Sequence, residues 1–321
     1  MIRFVAFLCA LAAATPTFAQ AWPGKQQIRM IVAYSAGGTG DVIARQLSDK
    51  LGAALGQAVI VENRAGASGA IGARSVVSAQ PDGYTLLMGQ TGEISVNQYL
   101  VKDNGYDPDT DLVPIALCGV VPLAMVVPKT APYSTIAEYL AFLKSGKAST
   151  FASAGAGTPG HFAGELLKLR LKANMTHIPY KGATPALNDL VGGHVDMYFP
   201  GMPAVTGLVQ SNSVKFLAVS SGTRSPTAPT VPTVKEASGI DTFDFTLWAA
   251  LFAPKGTPKE IVSRLNTEVN KILSTPETQK RFAELGAEIR VLSVEQTAAF
   301  AKAESVKYQQ VIKETGVKIE N

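Results

Sequence analysis

The chain has 321 residues, of which 46% are hydrophobic and 17% charged, and its formal net charge is +4. This length suffices for two globular domains of ordinary size. The Lys and Arg residues form no basic block with interleaved aromatic residues, which argues against a nucleic-acid partner, and a small positive excess would only help to attract anions.

Residues 1–21 have the pattern of a secretory signal peptide. Arg3 supplies a positive charge, and an apolar stretch follows from Phe4 to Ala14. Small residues then provide two overlapping cleavage sites, after Ala19 or after Ala21. The apolar stretch is too short to span a bilayer, so an uncleaved anchor is the less favoured alternative. We therefore expect the mature protein to be secreted and free of the membrane.

One cysteine remains once that segment is removed. Cys9 lies inside it, so Cys118 has no partner for an intramolecular disulfide. Cys118 belongs to an apolar run at 112–127, where we expect a buried and unreactive thiol. Pro114 and Pro122 interrupt this run, which favours buried strands over a membrane-spanning helix.

Apolar strands alternate with helical patterns along the mature chain. Before the apolar run, the pattern predicts strands at 28–34, 59–62 and 84–88 and helices at 41–51 and 70–79. After it, the pattern predicts strands at 123–127, 150–153, 176–178, 195–199, 215–220 and 247–253 and helices at 134–144, 161–172, 185–190, 258–273, 276–285 and 293–314. Such alternation implies parallel sheets covered by helices on both faces.

Local signals mark some of the helix ends. Ser134 is the expected N-cap of its helix, and Ser293 with Gln296 has the spacing of a capping box. The Thr- and Pro-rich segment at 223–233 is expected to be a connection, and the last helix to return to the first lobe.

Two α/β units joined by more than one crossing strand would form a cleft. We expect residues 22–122 and 224–321 in one lobe and residues 123–223 in the other. Ligands of open α/β sheets bind beyond the carboxyl ends of the strands, where helices begin. The loops at those strand ends are therefore the candidate binding residues.

The first candidate loop follows the first predicted strand. It contains Tyr34, Ser35, Ala36, Gly37, Gly38 and Thr39. Its glycines allow the backbone to approach a ligand closely, and the amides that open the next helix lack internal partners. An anionic oxygen gains about 1.5–3 kcal/mol from each hydrogen bond there. The alternative is a simple tight turn with Asp41 as the helix cap, and Asp41 is expected to be structural in both cases.

The second candidate loop also lies between a strand and a helix. Its candidate residues are Ser153, Gly155, Gly157, Thr158 and His161. The spacing Gly155-x-Gly157-x-x-Gly160 matches a dinucleotide fingerprint, but no acidic residue lies at the distance needed to bind a ribose. Pro159 also removes an amide donor. We therefore expect a small carboxylate here and no cofactor.

Two further loops supply candidate ligand contacts. Lys181 offers a point charge and Tyr180 a hydroxyl, unless the lysine is merely solvated on a turn. Gly89, Gln90, Thr91 and Gly92 follow the third predicted strand and form a fourth candidate surface, in which Gln90 and Thr91 are the candidate contacts.

Residues suited to catalysis or metal binding are sparse. His161, His177 and His194 are the three histidines, and none forms an HxxxH or HxH pair. The segment Gly66–Ala70 lacks the final glycine of a nucleophile elbow. We expect no catalytic residue and no metal, and a Ser/His pairing across the cleft stays an open alternative.

Seven motifs occur in a fixed order along the mature chain. They are Val32–Asp41, Val61–Gly66, Pro81–Leu87, Gly155–His161, His177–Gly182, Gly192–Asp196 and Leu251–Pro258. Together they resemble the Bug family, the extracytoplasmic solute receptors of tripartite tricarboxylate transporters. The resemblance covers essentially the whole mature chain.

The resemblance implies a two-lobed type II periplasmic-binding fold that closes around a small carboxylate. Carried over by position, the loops Tyr34–Thr39 and Ser153–His161 would hold the carboxylate from opposite lobes, and Tyr180 and Lys181 would line the second lobe. Asp196 ends a Gly-Gly-x-Val-Asp signature and would fix a loop of that lobe. The implied partners are the carboxylate and the permease subunits of the transporter, with the receptor itself expected to be a monomer.

Two departures from the family pattern bear on the ligand. The first strand ends in Tyr34-Ser35 where Pro-Phe or Pro-Tyr is commoner, and Phe199-Pro200-Gly201 replaces a Phe-Asp pair. The missing acid argues against recognition of an amino group and favours a plain carboxylate, a dicarboxylate or an aromatic acid. The alternative functions are a ligand sensor for a signalling partner and a nucleotide-dependent enzyme.

Overall fold

The computed structural model describes residues 22–318. The expected signal peptide at 1–21 and its cleavage sites lie outside these residues. From residue 22 to residue 318, every helix is too short or too polar to cross a bilayer. Two five-stranded sheets, each covered by helices, form the framework of the fold.

Helices and strands alternate through the described chain. Up to residue 122 they are β1 (Ile28–Val32), α1 (Thr39–Leu55), β2 (Val59–Asn63), α2 (Ala70–Val77), β3 (Thr85–Gln90), α3 (Asn97–Leu100), α4 (Pro108–Asp111) and β4 (Leu112–Pro122). A 3-10 turn at Ala67–Gly69 and a π-helical turn at Gly92–Val96 lie between them.

The middle of the chain builds the second sheet. Its elements are β5 (Ala124–Pro128), α5 (Ile136–Lys144), β6 (Ser149–Ser153), α6 (Pro159–Leu171), β7 (Met175–Pro179), α7 (Ala183–Val191), β8 (Met197–Tyr198), α8 (Met202–Gln210), β9 (Val214–Val219) and α9 (Val234–Ser238). The chain then continues through β10 (Thr246–Pro254), α10 (Lys259–Leu273), α11 (Pro276–Glu284) and α12 (Val294–Thr315).

Each sheet combines parallel and antiparallel pairs. The first has the strand order β2-β1-β3-β10-β4, and the second has the order β7-β6-β8-β5-β9. β1 is parallel to β2 and β3, whereas β10 is antiparallel to β3 and β4. β6 is parallel to β7 and β8, whereas β5 is antiparallel to β8 and β9. The prediction of purely parallel sheets is therefore wrong, because β4 leads the chain out of the first sheet and β10 brings it back.

Side chains of the central strands alternate between the two faces of each sheet. Ile28, Met30 and Val32 pack on one face of the first sheet, with α1 and α10. Ile31 and Ala33 pack on the other face, with α2. The second sheet shows the same alternation along β5. Both faces of both sheets are thus buried, as the continuous apolar strands predict.

The apolar run at 112–127 forms β4 and most of β5, which confirms the prediction of buried strands there. Cys118 in β4 is fully buried, and burial raises the pKa of its thiol to about 12. The thiol therefore stays protonated near neutral pH and packs as a small apolar group.

The helix ends agree in part with the expectations. The capping box at the start of α12 is confirmed, since Ser293 Oγ accepts the amide of Gln296 and Gln296 Oε1 accepts the amide of Ser293. The expected cap of α5 is wrong by one residue: Thr135 is the N-cap and forms the capping box with Glu138. Ser134 instead donates its amide to the Glu138 carboxylate.

Two helices of the second unit, α8 and α9, were not predicted from the sequence. α8 follows Pro200-Gly201 and contains Pro203, a pattern typical of a turn. It is helical because Met202 and Val205 are buried against the second sheet, a tertiary contact that outweighs local propensity.

The packing of residues 234–245 indicates where the boundary between the lobes lies. Val234, Ile240, Phe243 and Phe245 belong to the core of the second sheet. We therefore propose that the chain returns to the first lobe at β10, and that residues 224–245 belong to the second lobe rather than to the first.

The C-terminal helix spans both lobes. Phe300 of α12 packs on Trp248 of β10 with ring centroids 5.6 Å apart, and Tyr308 packs on Phe162 of α6 with centroids 5.7 Å apart. The helix thus packs on the first lobe, as expected, and also on the second lobe.

Candidate functional site

A cavity lies between the two sheets, and its empty volume is about 460 Å³ when its mouth is included. The first unit contributes Tyr34, Gly38, Thr39, Gln90 and Gly92 to its wall. The second unit contributes Ala154, Thr158, Pro159, Gly160, Ala183, Tyr198, Phe199 and Gly201. Leu123 and Leu247 complete the wall where the chain crosses between the sheets. None of the described residues that line this cavity is charged.

Four helices begin at the cavity. α1 starts at Thr39, α6 at Pro159, α7 at Ala183 and α8 at Met202, directly after Gly201. Amides in the first turn of a helix have no acceptor inside the helix, and the helix dipole places partial positive charge there. The cavity is therefore suited to an anion even though no Lys or Arg lines it.

Several buried polar side-chain atoms near the cavity have no hydrogen-bond partner among the described residues. They include Ser35 Oγ, Thr39 Oγ1 and Gln90 Nε2. Thr39 and Gln90 line the cavity, and both are less than 5% exposed. A hydroxyl and an amide at these positions can form hydrogen bonds to the oxygens of a bound molecule.

Asp41 holds the first glycine loop in place. Its carboxylate accepts the amide of Gly37 at 2.9 Å, and it also accepts from the side chains of Arg45 and Asn63. Burial alone would raise the pKa of Asp41, but the hydrogen bonds from Arg45, Gly37 and Asn63 outweigh it and the pKa is lowered. Asp41 is the third residue of α1, so the alternative that it caps this helix is wrong. The N-cap is Gly38, which has no side chain to act as a cap.

Most polar groups of the second glycine loop bond within the loop. Ser153 Oγ accepts the amide of Gly155 at 3.1 Å, and Thr158 Oγ1 donates to the carbonyl of Gly155 at 2.7 Å. Gly157 donates its amide to His161 Nδ1 at 3.0 Å. Of the five individual contacts predicted in this loop, only Thr158 lines the cavity, beside Ala154, Pro159 and Gly160 of the same predicted loop.

Two histidines of the second unit, the buried His161 and the half-buried His177, form a neutral pair. His161 and His177 stack with ring centroids 3.9 Å apart. Burial lowers the pKa of His161 to about 4 and that of His177 to about 3. His177 Nε2 lies 2.7 Å from Ser153 Oγ, but Ser153 is fully buried and does not line the cavity. This Ser/His pair lies within one unit and supports the second loop rather than presenting a nucleophile.

A second compartment adjoins the first and shares Tyr34 and Ala154 with it. Its empty volume is about 570 Å³ when its mouth is included, and Lys181 is the one charged residue among the part of the chain described that lines it. Tyr180 and Gly155 also line it, but the hydroxyl of Tyr180 donates to Asp189 Oδ2 at 2.5 Å. The predicted contacts are thus divided between two adjacent spaces.

Gln90 and Thr91 have different roles. Gln90 lines the cavity, whereas Thr91 Oγ1 accepts the amide of Trp248 at 3.1 Å and is fully buried. Gly92, the next residue of the fourth candidate surface, also lines the cavity.

Asp196 directly precedes β8 and does not line the cavity. Its Oδ2 accepts the amide of Thr150 at 2.7 Å and the Thr150 hydroxyl at 3.0 Å. These bonds join β6 to the loop that precedes β8, so Asp196 has a structural position.

The two units contact each other across the cleft. Ser68 Oγ donates to the carbonyl of Ala156 at 2.6 Å, and Thr184 Oγ1 donates to the carbonyl of Ala36. A Cβ added to Gly201 would lie only 2.4 Å from Thr39 Oγ1. The lobes therefore meet on both sides of the cavity.

Comparison with known proteins agrees with this architecture and with the resemblance read from the motifs. The family model described as the tripartite tricarboxylate transporter family receptor matches residues 43–317. BugT of Bordetella pertussis is 36% identical over 315 residues, which cover 98% of this chain and 96% of that protein.

Two solved structures from Rhodopseudomonas palustris have the same fold. Rpa4515 with adipate has a TM-score of 0.89 and 32% identity, covering 92% of this chain and 99% of that chain. MatC (Rpa3494) with bound malate has a TM-score of 0.84 and 30% identity, covering 90% and 99% of the two chains. The predicted two-lobed fold and family are confirmed: the chain belongs to the Bug family of tripartite tricarboxylate transporter receptors, which are solute-binding proteins and not enzymes.

Proposed function

We propose that this protein captures a small dicarboxylate in the cavity between its lobes and delivers it to a membrane permease of the tripartite tricarboxylate type. The proposal rests on one observation: four helices begin at a cavity whose described lining is uncharged. α1 belongs to the first unit, and α6, α7 and α8 belong to the second. The adipate bound to Rpa4515 and the malate bound to MatC support a dicarboxylate as the ligand class.

An anion can be bound here without a fixed countercharge. The dipole of each helix places about half a positive charge at its first turn, and each hydrogen bond to a charged oxygen contributes about 1.5–3 kcal/mol. Thr39 and Gln90 add side-chain donors from the first lobe. Burying a carboxylate is costly unless its oxygens are fully hydrogen-bonded, so several donors have to act on it together.

Lobe closure would follow from donors on both lobes. A carboxylate that accepts hydrogen bonds from α1 and from α6 is bound fully only when the two helices approach each other. Its binding therefore stabilises the closed arrangement over an open one. The cross-lobe bonds from Ser68 to Ala156 and from Thr184 to Ala36 support this mechanism.

The proposed location is the periplasm, where the protein would act as a monomer. The signal-peptide pattern at 1–21 supports export of the chain. The family description supports a permease as the partner that receives the solute.

Three six-carbon probes with different end groups test the proposed ligand class. Adipate, hexanoate and hexane-1,6-diamine are added separately to the purified mature protein, and thermal unfolding and calorimetric titration are measured. At a hundredfold excess over its dissociation constant, a bound ligand stabilises the folded state by about 2.7 kcal/mol. We expect adipate to stabilise the protein, hexanoate to stabilise it less and the diamine to have no effect. Malate extends the series to a shorter diacid. Stabilisation by the diamine, or by none of the carboxylates, would contradict the proposal.

A further inference from the structure

A buried acidic residue that the sequence analysis did not single out lies directly behind the cavity. Glu93 belongs to the π-helical turn Gly92–Val96 and is fully buried. Gly92, its neighbour, lines the cavity, as does Tyr34, whose hydroxyl lies beside the same turn. π-Helical turns are rare and are frequent at functional sites.

The two carboxyl oxygens of Glu93 have different surroundings. Oε1 accepts the amide of Gln90 at 2.8 Å. Oε2 is buried and has no hydrogen-bond partner or ion pair among residues 22–318. An ionised carboxylate that is buried in this way, without a countercharge, is strongly disfavoured.

Tyr34 is the group that Oε2 faces. A Cβ added to Gly69 would lie 3.1 Å from Glu93 Oε2 and 3.1 Å from Tyr34 Oη, so the two oxygens border the same small space. The Tyr34 hydroxyl already donates its single proton to the carbonyl of Ser68 at 3.1 Å. With its proton on Ser68, Tyr34 Oη can accept a hydrogen bond from Glu93, which only the protonated acid can donate. With the hydroxyl turned towards Glu93, Tyr34 would instead donate to Oε2, which acts to lower the pKa of Glu93 against the effect of burial.

The other groups around Glu93 do not neutralise it. Tyr106 Oη donates to the Glu93 carbonyl at 2.6 Å, and Arg74 beyond it donates to the carbonyl of Asn104. On the side of α12 and α4, Lys302 pairs with Asp109. Burial raises the pKa of Glu93 to about 8, and it outweighs the hydrogen bonds from the backbone and from Tyr34, which act to lower that pKa.

We propose that Glu93 is a positioning residue of the binding site: as a neutral acid it donates a hydrogen bond to Tyr34, holds Tyr34 in the cavity wall and keeps negative charge away from the anion. Capture of the anion is then linked to protonation of Glu93. This inference rests on the proposed binding of a dicarboxylate in the cavity. Ionised Glu93 would repel the ligand and draw the Tyr34 hydroxyl proton away from the Ser68 carbonyl.

The matched variants are Glu93→Gln and Glu93→Leu. Gln reproduces the neutral acid, because its Oε1 can accept from Gln90 and its Nε2 can donate to Tyr34 Oη. Leu has a similar size but offers neither group, so it tests the positioning role. Both variants are first checked for folding by circular dichroism and thermal unfolding.

Calorimetric titration of adipate is carried out from pH 7 to pH 9. If only the protonated form binds, the wild-type affinity falls about tenfold over this range, given a pKa near 8. At pH 8, binding takes up about half a proton, which titration in buffers of different ionisation enthalpy measures. We expect Glu93→Gln to bind with near wild-type affinity at pH 7, without the pH dependence and without proton uptake. Equal pH profiles for the wild type and Glu93→Gln would overturn the proposal, as would wild-type affinity in Glu93→Leu.

A measurement without ligand separates this inference from the proposed function. The folded-state pKa of Glu93 lies above its ordinary value of 4.5, so the folded protein binds more protons than the unfolded chain between about pH 4.5 and pH 8. The wild type should therefore lose stability relative to Glu93→Gln as the pH rises through this window. If no carboxylate binds but this difference is seen, the proposed function fails while the protonation of Glu93 stands. If the free energy of unfolding changes with pH in the same way in the wild type and in Glu93→Gln, the protonation of Glu93 itself is refuted.

Discussion

Thr39 is the residue at which the helix dipole, a side-chain donor and the cavity coincide. It is the first residue of α1, it lines the cavity, and its hydroxyl has no partner among the described residues. A buried hydroxyl in this position is suited to an anionic oxygen, because a hydrogen bond to a charged group contributes about 1.5–3 kcal/mol.

Replacement of Thr39 by valine tests this contact. Val keeps the shape of the side chain but removes the donor, so we expect the dissociation constant for adipate to rise about 10- to 150-fold. The control is Thr206→Val, since the Thr206 hydroxyl donates to Met202 within α8 and does not line the cavity. Calorimetry should show an affinity loss in the first variant alone. An unchanged affinity in Thr39→Val would exclude the hydroxyl as a ligand contact.

The stacked histidines predict a loss of stability in acid. The folded-state pKa values of about 4 for His161 and about 3 for His177 lie below the ordinary value of 6.5. The unfolded chain therefore binds more protons below pH 6.5, and the free energy of unfolding falls as the pH is lowered towards these values. The histidines make the free energy of unfolding rise with pH, whereas Glu93 makes it fall with pH. Variants of the histidines and of Glu93 therefore separate the two contributions.

The double variant His161→Asn with His177→Gln tests that slope. Asn places an oxygen near the position of His161 Nδ1, which accepts the amide of Gly157, and Gln places a polar group near His177 Nε2, beside Ser153. We expect a flatter decline of melting temperature between pH 6.5 and pH 4 than in the wild type. His161→Leu, which removes the acceptor, should in addition weaken adipate binding. A decline as steep as that of the wild type would show that the histidines are not its cause.

At the scale of elements, α12 shows how far local sequence rules reach. Ser293 and Gln296 have the capping-box spacing in the sequence, and both reciprocal hydrogen bonds are present. The helix then packs on Trp248 through Phe300 and on Phe162 through Tyr308. Its start is thus a local property, whereas its packing partners lie far away in the chain.

Loss of the α12 cap should reduce stability without affecting the binding site. Ser293→Ala removes the acceptor for the Gln296 amide, and we expect the free energy of unfolding to fall by about 1 kcal/mol. Ser293→Asp retains an acceptor and should keep wild-type stability. Chemical denaturation measures both variants, and adipate affinity should be unchanged in both. Equal destabilisation by Ala and Asp would show that capping is not the role of Ser293.

Elements with strong periodicity or a buried apolar run were predicted from the sequence, and those held by distant contacts were not. β1 to β4 and α10 to α12 were recognised within a few residues. α8 was not, because the turn signals at Gly201 and Pro203 contradict the helix that burial of Val205 stabilises. The π-helical turn at Gly92–Val96 has no simple period and was missed together with Glu93.

For the whole molecule, the contact between Gly201 and Thr39 offers a test of lobe closure. The backbone of Gly201 is extended, with φ of −64°, so alanine can adopt it without strain inside the second lobe. The added Cβ would lie 2.4 Å from Thr39 Oγ1 and 3.3 Å from Thr39 Cβ in the first lobe. Such a contact keeps the lobes from approaching as they do here.

We therefore expect Gly201→Ala to weaken adipate binding at least tenfold and to prevent ligand-induced compaction, measured by small-angle X-ray scattering. The matched control is Gly207→Ala in α8, where an added Cβ would have no neighbour within 4 Å. The control should bind and compact as the wild type does. Compaction and normal affinity in Gly201→Ala would contradict the proposed closure.

The sequence alone determined the family, the alternation of strands and helices, and the glycine loops that open α1 and α6, because these follow from neighbouring residues and short motifs. Only the tertiary structure decided which polar groups of those loops remain free for a ligand. Ser153, Gly157 and His161 bond within the second loop, Thr91 bonds to Trp248, and Thr39 and Gln90 reach the cavity. The physical reason is that each hydrogen-bonding group uses the partner that folding brings close, and spacing along the chain does not reveal that partner when it lies in another element.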